Sequence, residues 1–306
     1  MSRIDLVSEN YFHKSKEIFL NSKNGCVEII EKDSKLVLNH FNVAFPIIHG
    51  DFGEDGTLQG VLKSFYIPFV GPDILGSAIC MDKDVTKRLL RDVGIPIADF
   101  LVIKKYNQNN ISFEDVTKKL GLPLFVKPAN AGSSVGVSKV TDEKSYKNAL
   151  NEAFRFDNKI LIEEAIIGKE IECAILGNEY PKASVLGEII PTKDFYSYDA
   201  KYLSSNGSTT RIPASLDDNI SNKLRNIAVK AFETTCCEGM ARVDFFLKDD
   251  NTFVLNEINT LPGFTDISMY PQLWEKTGIP YKNLISDLIE LALKRYNRDN
   301  EIQTEK

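Results

Sequence analysis

Long apolar runs are missing from these 306 residues. The longest, such as "VAFPII" from Val43 and "AILG" from Ala174, are strand-sized and far short of the roughly 20 residues a membrane-spanning helix needs. "SRIDLVSEN" follows Met1 where a signal peptide would place an apolar core, so the expected compartment is cytoplasmic. Basic clusters are missing as well. The 37 Lys and Arg against 43 Asp and Glu leave a net charge of −6, and no stretch gathers enough positive charge to track a nucleic-acid backbone. Neither a nucleic acid nor a membrane is therefore an expected partner. Histidine is scarce, and His13, His40 and His49 are too widely separated for a histidine metal site. Cys26, Cys80, Cys173, Cys236 and Cys237 form no CxxC pair and lie near no histidine at zinc-ligand spacing, so they read as reduced, mostly buried thiols. The sequons at Asn110, Asn206 and Asn219 carry no meaning without secretion. Both GxGxxG and GxxxxGK[ST] are absent, and there is no internal repeat or low-complexity segment.

What is present describes an ordinary globular chain of about two domains, 43% hydrophobic and 26% charged. The first third alternates strand and helix signals: "VAFPII" as a buried strand, "TLQGVLKSF" as a short helix, "PFVG" as a strand, and "DKDVTKRLLRDVG" as a helix capped by Asp82. The middle continues with strands in "IPIADFLVIK", "PLFVKP" and "KILIEEAI" and helices in "SFEDVTKKLG", stopped by Gly121, and "DEKSYKNALNEAF". From Lys169 the pattern changes to successive strands, a polar loop from Thr192 to Ile212, a helix over "NKLRNIAVKAFETTC", a hairpin and two closing helices. The expected fold class is α/β followed by α+β, with a frayed tail "NRDNEIQTEK".

The hairpin "MARVDFFLKDDNTFVLNEINTLPGF", Met240 to Phe264, carries polar residues inside apolar strands. With a two- or four-residue connection, period-two alternation puts Arg242 and Asp244 on one face with Leu255, Glu257 and Asn259, and Val243 and Phe245 on the core face with Val254 and Ile258. A three-residue loop breaks that register. Two carboxylates and an amide oxygen suit Mg²⁺, a hard cation that completes its shell with phosphate and water. The same residues also describe a solvated sheet face with a Glu–Arg cross-strand pair.

Other segments are ambiguous when taken singly. In "NAGSSVGVSKV", Gly132, Ser133, Ser134 and Gly136 let backbone N–H groups approach an anion, or simply make a glycine-rich turn. Lys127 ends an apolar strand and Lys83 opens a helix; both positions suit phosphate clamps or solvated surface lysines. Glu163, Glu164 and Glu170 in "LIEEAIIGKEIE" stand where carboxylates accept from a ribose or a base amine, or face water. "SYDAKYLSSNGSTTRIP" offers Lys201, Tyr202 and Arg211 on a long loop that reads as an active-site lid or a mobile surface loop.

Their order is more specific than any one of them. "FPIIHGDFGEDGTLQG", "GSSVGVSK", "LIEE", "FYSYDAKY", "ARVDFFL" and "NEINTLPGFTDISMYP" together resemble the ATP-grasp superfamily and, within it, the D-alanine–D-alanine ligases, across roughly Val43 to Tyr296. The resemblance implies an ATP-grasp fold with a shortened N-terminal α/β domain at residues 1–82, a central ATP-grasp domain at 83–170 and a C-terminal one with the metal site at 171–306. It implies ATP as substrate and two Mg²⁺ ions, with Mn²⁺ as a substitute, on Asp244, Glu257 and Asn259. Lys83, Lys127, Lys201 and Ser134 would meet the phosphates, with Lys127 also near the adenine. Glu163 and the backbone near Glu164 and Ile166 would read the adenine, and Glu170 the ribose.

For the chemistry, it implies that an acyl phosphate of a first D-alanine is attacked by the amine of a second. Arg242 and the Gly263 N–H would stabilise the oxyanion. Ser133 and Tyr202 would position the closed site. His49 would lie near the first amino acid or serve as a structural histidine, while Ser268 and the Met269 N–H would bind the second carboxylate. Tyr202 in "AKY" favours D-alanine over D-lactate as second substrate, with D-serine an open alternative. D-alanine and ATP are the implied partners of a cytoplasmic homodimer serving peptidoglycan synthesis. The family's glycine-rich "EHEVS" loop has no counterpart before "FPIIHG", a difference of about 30 residues, the size of one βαβ unit. An ATP-binding homologue with reduced or lost ligation is the alternative that this raises.

Overall fold

In the computed structural model, residues 16–23, 26–191, 208–265 and 267–302 are described. Three antiparallel sheets organise the chain. The first is the meander β1 (Ile18–Lys23), β2 (Cys26–Glu31) and β3 (Val37–Phe41). The expected strands in "VAFPII" and "PFVG" reduce to one parallel bridge, Ala44 to Phe69, closed by Ala44 N–H to Pro68 O and Val70 N–H to Ala44 O, each 2.9 Å. Pro46 lacks the N–H that would continue the ladder, and Ile47 and Ile48 beyond it lie exposed. Helix α1 (Thr57–Ser64) follows, then α2 (Ile74–Met81), capped by Asp73. Helix α3 (Lys83–Asp92) begins where expected, because the Asp82 carboxylate accepts from the Asp84 and Val85 N–H groups at 3.1 and 3.2 Å.

The central sheet has the order β4 (Phe100–Lys104), β7 (Lys159–Glu164), β5 (Leu124–Pro128), β6 (Ser138–Val140). One face buries Leu124, Val126, Ile160 and Ile162 against α4 (Phe113–Leu120) and α5 (Glu143–Ala153). Period-two alternation sends Phe125, Lys127, Leu161, Glu163 and Phe100 to the opposite face, as their cross-strand pairing requires.

The C-terminal sheet runs β10 (Ser208–Arg211), β9 (Lys182–Pro191), β8 (Lys169–Gly177), β11 (Gly239–Leu247), β12 (Phe253–Asn259). The end of the loop expected from Thr192 to Ile212 is therefore a strand, while 192–207 lie outside the described residues. One face of the sheet packs Ile171, Cys173, Ile175, Val243 and Phe245 against α6 (Asp218–Thr234), with Leu90 of α3 in the same core. The other face is covered at one end by α7 (Met269–Thr277) and α8 (Tyr281–Asn300), through Ala174, Leu176 and Met240. Its uncovered end carries Glu170, Glu172, Arg242 and Asp244 on one face, since Glu172 opposes Asp244 and Ala174 opposes Arg242.

The hairpin register differs from expectation near its turn. Five residues connect Leu247 to Phe253, and a bulge between Asp244 and Phe245 absorbs the extra residue, Asn256. Phe245 consequently pairs with Leu255, which joins the core face, and Val254 moves to the other face opposite Phe246. Beyond the bulge the expected pairs return: Asp244 with Glu257, Val243 with Ile258, Arg242 with Asn259.

Candidate functional site

Two faces meet in a cleft. The short Ala165–Gly168 connection joins β7 to β8, and Leu255 N–H donates to Pro96 O at 2.8 Å. From the central sheet come Lys127 and Glu163, whose ammonium and Oε2 are 2.8 Å apart. Glu163 is buried, and burial pushes its carboxyl up, but the Lys127 and Lys87 ammoniums outweigh this and hold it below the usual carboxylate range. Lys83, at the start of α3, donates to Ala131 O at 2.5 Å. Burial lowers its pKa, repulsion from Lys127 adds to this, and attraction to Glu257 opposes it, so Lys83 is coupled to both halves of the cleft.

The Gly-Ser loop lies beside this lysine. Ser133 and Ser134 hold left-handed backbone, φ 54° and 60°, a sparsely populated conformation for residues with a Cβ that is characteristic of functional turns. Val135 N–H to Gly132 O (3.1 Å) and Val137 N–H to Ser134 O (3.3 Å) set the two turns. At Gly136, φ 68°, a Cβ would come within 2.8 Å of the Phe156 ring and 2.9 Å of Pro128, so the loop closes onto β5 only with glycine there.

Across the cleft, Arg242 forms a fork with Asp244: Nε to Oδ1 at 2.8 Å and Nη2 to Oδ2 at 2.7 Å. Its Nε also lies 3.1 Å from Glu172 Oε2. Burial works against the guanidinium's charge, but Asp244, Glu172 and Glu257 raise its pKa well above the ordinary value. Asn259 Nδ2 donates to Asp244 Oδ2 at 2.9 Å. The strand register sets Asp244 opposite Glu257 and Asn259 opposite Arg242, so the three side chains share one end of the hairpin. Among the described residues no group of three or more His, Cys, Asp or Glu side chains is arranged to hold a metal alone. Two carboxylates and an amide fit an ion that takes its remaining ligands from phosphate and water, as Mg²⁺ does.

Gly263 and Ser268 lie together just before Met269, and His49 approaches the Leu261 backbone, two residues before Gly263. His49 Nδ1 lies 3.9 Å from Glu54 Oε1. The neighbouring Glu54 carboxylate raises the imidazole pKa against partial burial; the Leu261 backbone adds to the rise and Arg242 opposes it. Glu54 itself accepts from the Gly50 N–H at 2.6 Å. Ser268 precedes α7, and its Oγ accepts from the Thr265 N–H at 2.9 Å. A Cβ on Gly263 would lie 2.7 Å from that Oγ, which places the Gly263 backbone and the Ser268 hydroxyl together. Met269 buries its side chain and opens α7, where its N–H belongs to the unpaired first turn that receives carboxylates well.

The structure brings Lys83, Lys127 and Glu163 together on one side of the cleft and Arg242, Asp244, Glu257 and Asn259 on the other, with Glu170 on the latter face. Glu164 is turned away: its Oε1 accepts from the Asp99 N–H at 2.8 Å, so only its backbone faces the connection that holds Ile166. Arg211 ends β10 and pairs with Glu188 at 3.2 Å. Lys201 and Tyr202 lie outside the described residues.

Two residues escaped the sequence reading: Lys87 and Glu172. Lys87 is one helical turn from Lys83 and shares its face. Glu172 follows from the same alternation that selected Glu170 and Asp244.

Comparison with known proteins identifies the family. The model of the family described as D-ala D-ala ligase C-terminus matches residues 89–290, and that of the D-ala D-ala ligase N-terminus matches residues 5–72. The stretch ahead of "FPIIHG", read above as having no counterpart of the family's opening loop, therefore belongs to the family's N-terminal unit. D-alanine–D-alanine ligase A of Escherichia coli is 56% identical over 277 residues, 90% of this chain and 76% of the relative. The Oceanobacillus iheyensis D-alanine–D-alanine ligase is 53% identical over the same shares. Among solved structures, the Coxiella burnetii D-alanine–D-alanine ligase superposes with a TM-score of 0.83 at 37% identity, over 98% of this chain and 80% of that one. VanG D-Ala:D-Ser ligase from Enterococcus faecalis gives 0.80 at 30% identity, over 95% and 84%. The cleft, its converging charges and these likenesses have one conclusion: the chain belongs to the D-alanine–D-alanine ligase family.

Proposed function

We propose that the protein joins two D-alanines to D-alanyl-D-alanine at the expense of ATP, through an acyl phosphate. The observation that carries this reading is the pairing of a cationic face, Lys83 and Lys127, with an oxygen-donor face, Asp244, Glu257 and Asn259, across one cleft. A carboxylate attacking a γ-phosphate is an anion approaching an anion, so the site must neutralise charge on both. Mg²⁺ held by Asp244, Glu257 and Asn259 supplies charge neutralisation at the phosphates when bound. Lys83 and Lys127, with Lys201 and Ser134, clamp the phosphate chain, while Glu163, the backbone at Glu164 and Ile166, and Glu170 hold adenine and ribose.

The first carboxylate oxygen forms the new O–P bond and ADP leaves. The amine of the second D-alanine then attacks the acyl carbon, and the C–O bond to phosphate breaks. Arg242, already fixed by two carboxylates, and the Gly263 N–H take the oxyanion. Ser268 and the Met269 N–H orient the second carboxylate, with Ser133 and Tyr202 closing the site and His49 beside the first amino acid.

D-alanine as second substrate is supported by the 50–56% identity to D-alanine–D-alanine ligases. No helix among the described residues is long and apolar enough to cross a membrane, and we read the protein as cytoplasmic. Exposed Val61, Phe65 and Tyr66 on and after α1 offer an apolar face for a second copy, which supports a homodimer. The test is ADP release with D-alanine alone, with D-alanine plus D-serine, and with D-alanine plus D-lactate. D-Alanyl-D-alanine as the main product supports the reading, and a mixed product formed in preference overturns the substrate assignment.

A further inference from the structure

Lys87 is the most deeply buried ionisable cation in the cleft wall, 1% exposed, and its ammonium lies 3.2 Å from Glu163 Oε2. Burying a lysine this completely is costly unless its charge serves a partner. Among the described residues Glu163 is the one anion paired with it, and the ring of Phe100, 5.8 Å from the ammonium, closes the other side. The same Oε2 also lies 2.8 Å from the Lys127 ammonium. Two ammoniums therefore share one carboxylate oxygen, and Lys83 stands one helical turn away on α3.

That arrangement has one cation too many for a structural pair. If Lys127 were the sole counterion of Glu163, drawing it onto a phosphate would strip a buried carboxylate of its only positive neighbour, at a large cost. From this geometry we infer that Lys87 is a positioning residue, the permanent counterion that keeps Glu163 charged and aimed while Lys127 is released to the nucleotide. It acts through Glu163 and sits behind it as seen from the cleft. Its pull on Oε2 leaves the other carboxylate oxygen to accept from an exocyclic amine, so Lys87 sets the preference for an aminopurine over a purine that lacks the amine. This rests on the reading that Glu163 faces the base.

The experiment measures binding of two nucleotides, ATP and purine riboside triphosphate, by titration calorimetry with Mg²⁺ present. A hydrogen bond to a charged acceptor contributes about 1.5–3 kcal/mol, so the unaltered chain should prefer ATP by roughly tenfold or more. Glu163→Gln tests the underlying reading: if it leaves that ratio unchanged, Glu163 does not face the base. If Glu163→Gln lowers the ratio, Lys87→Met must lower it too, towards unity. A Lys87→Met chain that weakens both nucleotides equally and keeps the ratio would make Lys87 merely structural and overturn the inference. Should Lys87→Met fail to fold, a crystal structure of the unaltered chain with a non-hydrolysable ATP analogue decides. Lys127 on a phosphate with Lys87 still paired to Glu163 supports the inference, and Lys127 remaining on Glu163 refutes it.

Discussion

Gly263→Ala is the sharpest steric test of the second-substrate end. The backbone at Gly263 does not adopt a left-handed φ, so alanine costs nothing there in conformation. The cost is contact: the added Cβ would stand 2.7 Å from Ser268 Oγ and 3.4 Å from Ser268 Cβ. The hydroxyl must rotate away, and it then gives up the Thr265 N–H at 2.9 Å and the Thr265 hydroxyl at 2.8 Å. Two such bonds contribute about 1 kcal/mol each, so the variant should lose about 1–2 kcal/mol and melt a few degrees lower. Because the displaced hydroxyl is the proposed ligand of the second carboxylate, the Michaelis constant for the second D-alanine should rise about tenfold. Ser268→Ala removes the clashing atom and leaves a nearest approach of 3.4 Å, so Gly263→Ala in that background should have little further effect on melting. The assays are thermal melting of the single and double variants and steady-state kinetics with varied D-alanine. Native melting and a native Michaelis constant for Gly263→Ala would refute the packing argument. A full penalty in the Ser268→Ala background would show that another contact is responsible.

Glu257→Gln keeps shape while removing a charge opposite Asp244, so calorimetric Mg²⁺-ATP affinity should fall and turnover should nearly vanish with the melting temperature preserved; native affinity and turnover would remove Glu257 from the metal site. His49 should titrate above its ordinary value of 6.5, because the neighbouring Glu54 carboxylate favours the imidazolium. Its folded pKa exceeds its unfolded one, so this stabilisation is fully present below pH 6.5 and is lost as pH rises through the raised value. Glu54→Gln should bring the His49 titration back towards 6.5, read by proton NMR on a chain with three histidines. An unchanged titration would assign the shift to another neighbour.

Much of the site was legible because its residues repeat at the periods of their elements. Arg242, Asp244, Glu257 and Asn259 followed from alternation along two strands, and Asp82 announced the start of α3 through its capping carboxylate. Leu255 and Val254 were assigned to the wrong faces because a bulge beside Asp244 shifts the register by one, and nothing in the local sequence marks where the extra residue is absorbed. "VAFPII" looked like a core strand by composition, yet Pro46 interrupts its ladder. The pairing of Lys87 with Glu163 joins residues far apart in sequence, so only the packing of α3 against the central sheet could disclose it. Lys83 and Lys87 at i and i+4 were the available signal, and a buried lysine carries no compositional mark that separates it from a solvated one.

The most direct test of the central claim follows one oxygen atom. D-alanine labelled with ¹⁸O in its carboxylate should transfer one labelled oxygen to inorganic phosphate for each D-alanyl-D-alanine formed, because the acyl phosphate gives up that oxygen when the second amine attacks. Mass spectrometry of the released phosphate reads the transfer. Phosphate carrying one ¹⁸O per dipeptide is the predicted result, and unlabelled phosphate accompanying dipeptide formation would contradict the acyl-phosphate route and the role assigned to the cleft.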